Sequence, residues 1–286
     1  MKVSSVKVNG RELAALPSAN GLVLMETINE AEAASWSTEL FELIRLGELE
    51  PLTGWYEGGG KDKLEQLAAI PYGRAEYMPL YRQPRKIWGI GMNYVQHAEE
   101  LAAIDPNDEP VSFMKPDTTI IGPLDAIRIP ADVGKITAEA ELGIIIGKTC
   151  KNITEAEVYD VIAGYTTTID VTASDIHARH QRYLTRAKSF DTFFSFGPQL
   201  ITKDEFPDPL AIQVETAING EVAHRNKVFN MRFRPYFAVA FHSKVMTLLP
   251  GDIIMTGTPG AVVIRDGDIV ECRIDGFETL LNPVRD

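Results

Sequence analysis

The sequence predicts an α+β protein, with a small N-terminal α/β domain over residues 1–75 and a larger, sheet-dominated domain over residues 76–286. Beyond residue 85 the apolar residues gather in short β-branched runs, and few helical patterns lie between them. Between the two parts, Pro71, Gly73, Pro79 and Pro84 interrupt any regular element. A chain of 286 residues, 45% of them hydrophobic, is also long enough to bury a substantial core in one or two domains.

The elements follow in chain order. Val3 to Leu24 reads as two short β segments joined at Asn9-Gly10, a dipeptide that readily takes the positive φ values of a tight hairpin. Ala31, Ala33, Ala34, Leu40, Leu43 and Ile44 recur at roughly helical spacing, which predicts a helix over Asn29 to Leu46. Gly58 to Gly60 reads as a loop and Lys61 to Ala69 as a short helix behind it. In the larger part, strands are predicted at Lys86–Gly91, Thr119–Ile121, Ile136–Gly147, Val161–Asp170, Ile212–Ile218, Asp252–Met255 and Ile269–Ile274. Helices are predicted at Tyr94–Ala103, Thr154–Asp160 and Phe237–Met246. The chain contains no internal repeat and no low-complexity tract.

Composition removes several classes of function. A formal charge of −12 and a pI near 5.0, with no compensating basic run, argue against nucleic acid or an anionic membrane as partner. The two cysteines, Cys150 and Cys272, lack C-x-x-C spacing, so neither a disulfide framework nor a structural zinc site is indicated, and both read as small buried hydrophobes. The first residues, M-K-V-S-S-V-K-V-N-G, lack the apolar core of a signal peptide, and no segment approaches the ~18 apolar residues of a membrane span. The expectation is a cytoplasmic enzyme.

Glu139-Ala140-Glu141 is the chemically telling stretch. It lies inside I-T-A-E-A-E-L-G-I-I-I-G-K, a run with the composition of a strand buried on both faces. Residues i and i+2 of a strand share a face, so the two carboxylates project side by side. In a desolvated place such a pair must protonate in part or hold a cation between its members. A divalent metal on oxygen ligands is the economical explanation, and all-oxygen ligation favours Mg²⁺ or Mn²⁺ over zinc.

Further segments accompany this pair in order. They are G-x-N-Y-x-x-H-x-x-E at Gly91 to Glu100, E-x-E-L at Glu139 to Leu142, G-Y-T-x-x-x-D at Gly164 to Asp170, and K-S-F-D-T-F at Lys188 to Phe193. N-G-E at Asn219 to Glu221, L-x-P-G-D-I-I-x-T-G-T-P at Leu248 to Pro259 and L-x-N-P-V at Leu280 to Val284 complete the series. Any one of these is weak, but seven in this order, from about Lys86 to Val284, resemble the fumarylacetoacetate hydrolase family.

The resemblance implies a β-sandwich roll, a homodimer and a metal-dependent enzyme acting on a 2-oxo or 1,3-diketo acid. It implies that Asp170 joins Glu139 and Glu141 as the third metal ligand. His97 and Glu100, which by spacing alone would be a surface pair on one helix face, become a water-activating dyad on a lid. Lys188, which alone would read as solvated, becomes a substrate contact that steadies developing negative charge. Lys115 in F-M-K-P is a lesser candidate for the same pocket. Thr258 and the Gly257 amide, otherwise a plain turn, would bind a substrate carboxylate. His177, His180, His224 and His242 have no defensible partner spacing and read as structural or surface residues. The expected reaction is C–C hydrolysis of an acylpyruvate-type acid through a stabilised enolate. Decarboxylation, dehydration or isomerisation are alternatives on the same chemistry, as is a non-catalytic binding member.

The chain departs from the family pattern in the segment Thr172-Ala173-Ser174-Asp175, where Ser174 takes the place of a common arginine. A serine cannot give a carboxylate the bidentate contact of a guanidinium. Met92 stands where many members carry a basic residue, and the loop after Pro259 is short. These differences predict a substrate less anionic or differently shaped than the commonest family substrates.

Overall fold

Two long neighbouring strands, Ile136–Ile146 and Ile162–Ala173, form the spine of the α+β architecture seen in a computed structural model, which describes residues 1–96, 98–105 and 107–286. They run antiparallel from the Ile136–Ala173 pair to the Ile146–Ile162 pair. On one side the sheet continues through Gln199–Thr202 to Lys2–Val8, Arg11–Ser18 and Gly21–Leu24. On the other it continues through Ile253–Met255 and Ile87–Gly91 to Val111–Lys115. The N-terminal strands and the two long strands therefore share one hydrogen-bonded sheet.

A second sheet joins Glu221–Lys227, Gln213–Ile218, Ile269–Ile274, Leu280–Arg285 and Ile127–Arg128. Alternation along Ile136–Ile146 assigns each face its job. Ala138, Ala140, Leu142 and Ile144 pack in one buried cluster with Val214, Val270 and Leu280 of the second sheet. The opposite face carries Glu139 and Glu141, and farther along Ile145, which joins a second cluster with Leu16, Leu43, Ile87 and Phe113. Burial on both faces is why the strand reads as a nearly unbroken apolar run. Each fully buried Leu, Ile or Phe side chain contributes about 1.5–3 kcal/mol, enough to carry the cost of burying charge between the clusters.

Local structure departs from expectation where side chains override periodicity. The helix expected over Asn29 to Leu46 is two helices, Met25–Glu32 and Leu40–Arg45. Asn29 breaks it, because its Nδ2 donates to the Trp36 carbonyl (2.7 Å) and its Oδ1 accepts from the Trp36 amide (3.0 Å), which pins the intervening turn. Gly58 to Gly60, expected as loop, contains the kink between the helices Leu49–Trp55 and Lys61–Leu64: Gly59 takes φ 110°, and Gly60 lies against the Trp55 ring. The helix expected over Tyr94 to Ala103 is a 3₁₀ segment at Ala98–Ala103. Both cysteines are buried, and no helix among the described residues is long and apolar enough to cross a membrane.

Candidate active site

Strand register assembles the acidic residues. Glu139 stands directly opposite Asp170, and Glu141 opposite Thr168, so Asp170 is the diagonal neighbour of Glu141 on the same face. Facing side chains of an antiparallel pair start only about 4.5–5.5 Å apart at Cβ, and like charges there repel. One carboxylate oxygen from each of the three residues lies within 4.8 Å of the others. Glu141 and Asp170 are buried, and Glu139 is nearly so.

Two lysines answer part of this charge. Lys188, at the end of the helix Leu184–Lys188, donates to Glu139 Oε2 (2.8 Å), to Thr172 Oγ1 (2.8 Å) and to Asp170 Oδ2. Its ammonium also lies 4.5 Å from the centre of the Phe113 ring. Lys115 donates to Asp170 Oδ1 (2.6 Å) and to the Val171 carbonyl (3.2 Å) from behind the strand. Burial alone would lower the Lys188 pKa, but Asp170 and Glu139 outweigh it and hold it above the usual lysine value. At Lys115 burial, helped by the Lys188 charge, prevails over Asp170 and brings it down to about 8. Burial pushes Asp170 up, while the two ammoniums more than cancel that and leave it below the ordinary aspartate value. Glu141 has neither lysine as a hydrogen-bond partner. Burial, then Asp170 and Glu139, push its carboxyl well above the usual range, against the charge of Lys188 and the Gly257 amide, from which it accepts at 2.6 Å.

Three carboxylates thus face two ammoniums, with the deficit concentrated at Glu141. The oxygen-only donor set, its spacing and this uncompensated charge fit a divalent cation, whose ligand oxygens sit at about 2.0–2.6 Å. The residues present suit the metal that the sequence pattern implies.

Glu139, Glu141, Lys188, Thr258, Ser174 and His177 share the wall of one cavity of about 350 Å³. Of the residues expected to touch substrate, Lys115 is fully buried behind Asp170 and is not on this wall, so its place is that of a countercharge. The Gly257 amide, expected to bind substrate, is occupied by Glu141. Thr258 is on the wall, its hydroxyl bonded to the Gly260 carbonyl (3.1 Å) and amide (3.2 Å). Glu100 lies on the exposed 3₁₀ segment, beside a separate depression that includes Tyr94, Asp108 and Arg232. His97 lies outside the described residues. No arginine is among the described residues lining the cavity, so none of them replaces the guanidinium missing at Ser174; Arg179 and Arg186 line a separate depression.

Sequence reasoning missed His177 and Gln181, which line the cavity. The signal available was position. The strand carrying Asp170 ends at Ala173, and the helix Ser174–Arg179 begins at once, so Ser174 and His177 share a helical face at the strand's end.

The turn after Met255 is locked to the metal strand. Thr256 donates from both its amide (3.1 Å) and its hydroxyl (2.8 Å) to the Leu142 carbonyl. Gly257 takes φ 94°, and a Cβ there would come within 2.8 Å of Asn93 Cβ and 3.1 Å of the Ile90 carbonyl oxygen. Asn93 cannot yield, because it is buried and bonds to Thr256 and to both backbone groups of Phe233. Gly257→Ala is therefore expected to cost about 1–3 kcal/mol and to pull the amide from Glu141. Thermal denaturation together with Mn²⁺ titration checks this; an unchanged midpoint and affinity would contradict it.

Comparison with known proteins points the same way. The family model described as fumarylacetoacetate (FAA) hydrolase C-terminal matches residues 86–285. The mitochondrial oxaloacetate tautomerase fahd2 of Xenopus laevis is 39% identical over 210 residues, 70% of this chain and 66% of that protein. A fumarylacetoacetate hydrolase from Exiguobacterium antarcticum superposes with a TM-score of 0.84 at 30% identity, covering 100% of this chain and 99% of that one. Maleylpyruvate hydrolase from Sphingobium sp. SYK-6, solved with manganese(II) and pyruvate, gives 0.81 at 28% identity over 100% and 99% of the two chains.

Proposed function

The chain belongs to the fumarylacetoacetate hydrolase family, and from that premise we propose that it is a divalent-metal-dependent enzyme interconverting the keto and enol forms of a 2-oxo acid. The observation that carries this reading is that Glu139 and Glu141 share one cavity with Lys188 and, with Asp170 beside them, outnumber the two buried ammoniums of Lys188 and Lys115. The likeness to an oxaloacetate tautomerase and to a hydrolase crystallised with pyruvate supports the substrate class.

Glu139, Glu141 and Asp170 would hold Mg²⁺ or Mn²⁺, which when bound supplies Lewis-acid stabilisation of an enolate. The protein's own groups do the rest. Lys188, fixed by Glu139, Asp170 and Thr172, keeps its proton and places a positive charge where negative charge grows on the substrate. It is a poor base for the same reason. Ile90, Phe113 and Leu184 supply an apolar side to the cavity, which strengthens these interactions by excluding water. Ser174 and Thr258 offer hydroxyls, suited to a distal group less anionic than a second carboxylate.

A second reading, hydrolysis of an acylpyruvate, is favoured by the end-to-end likeness to maleylpyruvate hydrolase. It requires an activated water, the task expected of His97 and Glu100. Ultraviolet absorbance of the enol separates the readings. Metal-stripped protein, with and without Mg²⁺ or Mn²⁺, is mixed with freshly dissolved enol-oxaloacetate, neutral-tailed 2-oxo acids and acylpyruvates. Metal-dependent relaxation to keto form without pyruvate release is the expected result. Stoichiometric pyruvate release from an acylpyruvate would establish hydrolysis instead, and no metal-dependent change on any substrate would overturn both.

A further inference from the structure

Moving a double bond between carbon and oxygen requires a group that takes a proton from carbon and gives it back. Among the described residues, the cavity wall offers few candidates. Glu139 is bonded to Lys188 and Glu141 to the Gly257 amide, and both belong to the cation-binding set. Lys188 is tied to two carboxylates and a hydroxyl. Ser174 and Thr137 are hydroxyls bonded to each other at 2.7 Å, and a hydroxyl is no base near neutral pH. Gln181 does not titrate.

His177 is different. It is half-buried on the wall, and its ring makes no hydrogen bond to any described residue; only its backbone carbonyl is used, by the His180 amide at 3.1 Å. Side chains of a helix tilt toward its N-terminus. In the helix Ser174–Arg179, that direction leads back to the end of the strand bearing Asp170 and Thr172. An imidazole with both nitrogens unspent, facing the same space as the carboxylates, is what a proton shuttle at this site requires.

We propose that His177 is the catalytic acid–base of this chain, an inference that rests on the keto–enol reading above. The neutral ring takes a proton from C3 of the 2-oxo acid. The C3–H pair becomes the C2=C3 bond, and the carbonyl pair moves onto O2. The imidazolium then returns the proton to O2, so the enzyme ends as it began and no oxidant or co-reactant is consumed. Lys188 balances charge on O2 while the proton is in transit.

The test follows the C–H bond directly. Pyruvate in D₂O with Mg²⁺-loaded protein is monitored by ¹H NMR for loss of the methyl signal, alongside enol-oxaloacetate relaxation. His177→Gln is expected to slow exchange by about 10²–10⁴-fold, the usual worth of a positioned acid–base. Its Mn²⁺ affinity, read by the electron paramagnetic resonance of free Mn²⁺, should stay that of the wild-type protein. In His177→Ala, added imidazole should restore exchange, a rescue that a merely structural role would not give. Exchange by His177→Gln at the wild-type rate would overturn the assignment and leave the keto–enol reading standing. Wild-type protein with metal bound that neither exchanges pyruvate nor relaxes the enol would overturn that reading, and this one with it.

Discussion

Glu141→Gln is expected to abolish metal-dependent turnover and, in the metal-free protein, to raise the thermal midpoint. Both effects come from one carboxylate. It is buried beside Glu139 and Asp170, and its hydrogen-bond partner is a single backbone amide. Even groups one step removed from a metal cost about 10–100-fold in affinity when lost, so removing a ligand should cost at least on the order of 100-fold. Without metal the sign reverses. The folded-state pKa of Glu141 lies above its unfolded value of about 4.3, so ionisation weakens the fold as pH rises from that value through the folded pKa. Glutamine keeps an acceptor for Gly257 and removes the charge. The gain at neutral pH should shrink as pH falls through the folded pKa toward about 4.3 and be absent below it, where the carboxyl is protonated in both states. Calorimetric Mn²⁺ titration and thermal scans of the stripped protein read the two halves separately. Undiminished Mn²⁺ affinity would place the ion elsewhere, and a lower midpoint would mean that the Glu141 charge is compensated in a way the hydrogen bonds do not indicate.

Lys115→Met should act in the opposite sense, destabilising the stripped protein while strengthening metal binding. Lys115 is sealed behind Asp170 and bonded to it at 2.6 Å. Breaking a buried pair from one side costs about 3–5 kcal/mol, and the lower figure applies because Lys188 still holds the other Asp170 oxygen. For a domain of this size, about 3 kcal/mol corresponds to a midpoint roughly 6–12 °C lower. The same substitution removes a positive charge adjacent to the ligand set, so a cation should bind more tightly and recover part of the lost stability. A midpoint that neither falls in stripped protein nor recovers with Mn²⁺ would contradict this placement of the lysine.

The metal strand was the most legible part of the chain, because it is buried on both sides and its charges are therefore anomalous against an apolar run. Period-two geometry put Glu139 and Glu141 on one face, and the register with Asp170 agrees with that face. Elements with mostly exposed residues were not legible. Glu221–Lys227 is a strand held by pairing with Gln213–Ile218, and its side chains carry little hydrophobic alternation. The break at Trp36 depends on the Asn29 side chain, which periodicity does not weigh. Lys115, a lesser candidate for the pocket, is buried and bonded to Asp170, a partner 55 residues away that its sequence neighbours do not indicate. His177 was passed over because its importance comes from a helix starting at once after Ala173, a matter of where a strand stops.

The division of labour between regular and irregular elements has a practical consequence. Glu139, Glu141, Asp170 and Lys115 all stand on paired strands, so their mutual positions are fixed by main-chain hydrogen bonds. Ser174, His177 and Gln181 stand on short helical segments just beyond the last of those pairs. The scaffold is therefore modular: a designer could exchange Ser174 and Gln181 on the cavity wall without touching the part that organises charge or the His177 imidazole. It offers a starting point for a family of catalysts that differ in what they accept and agree in how they react.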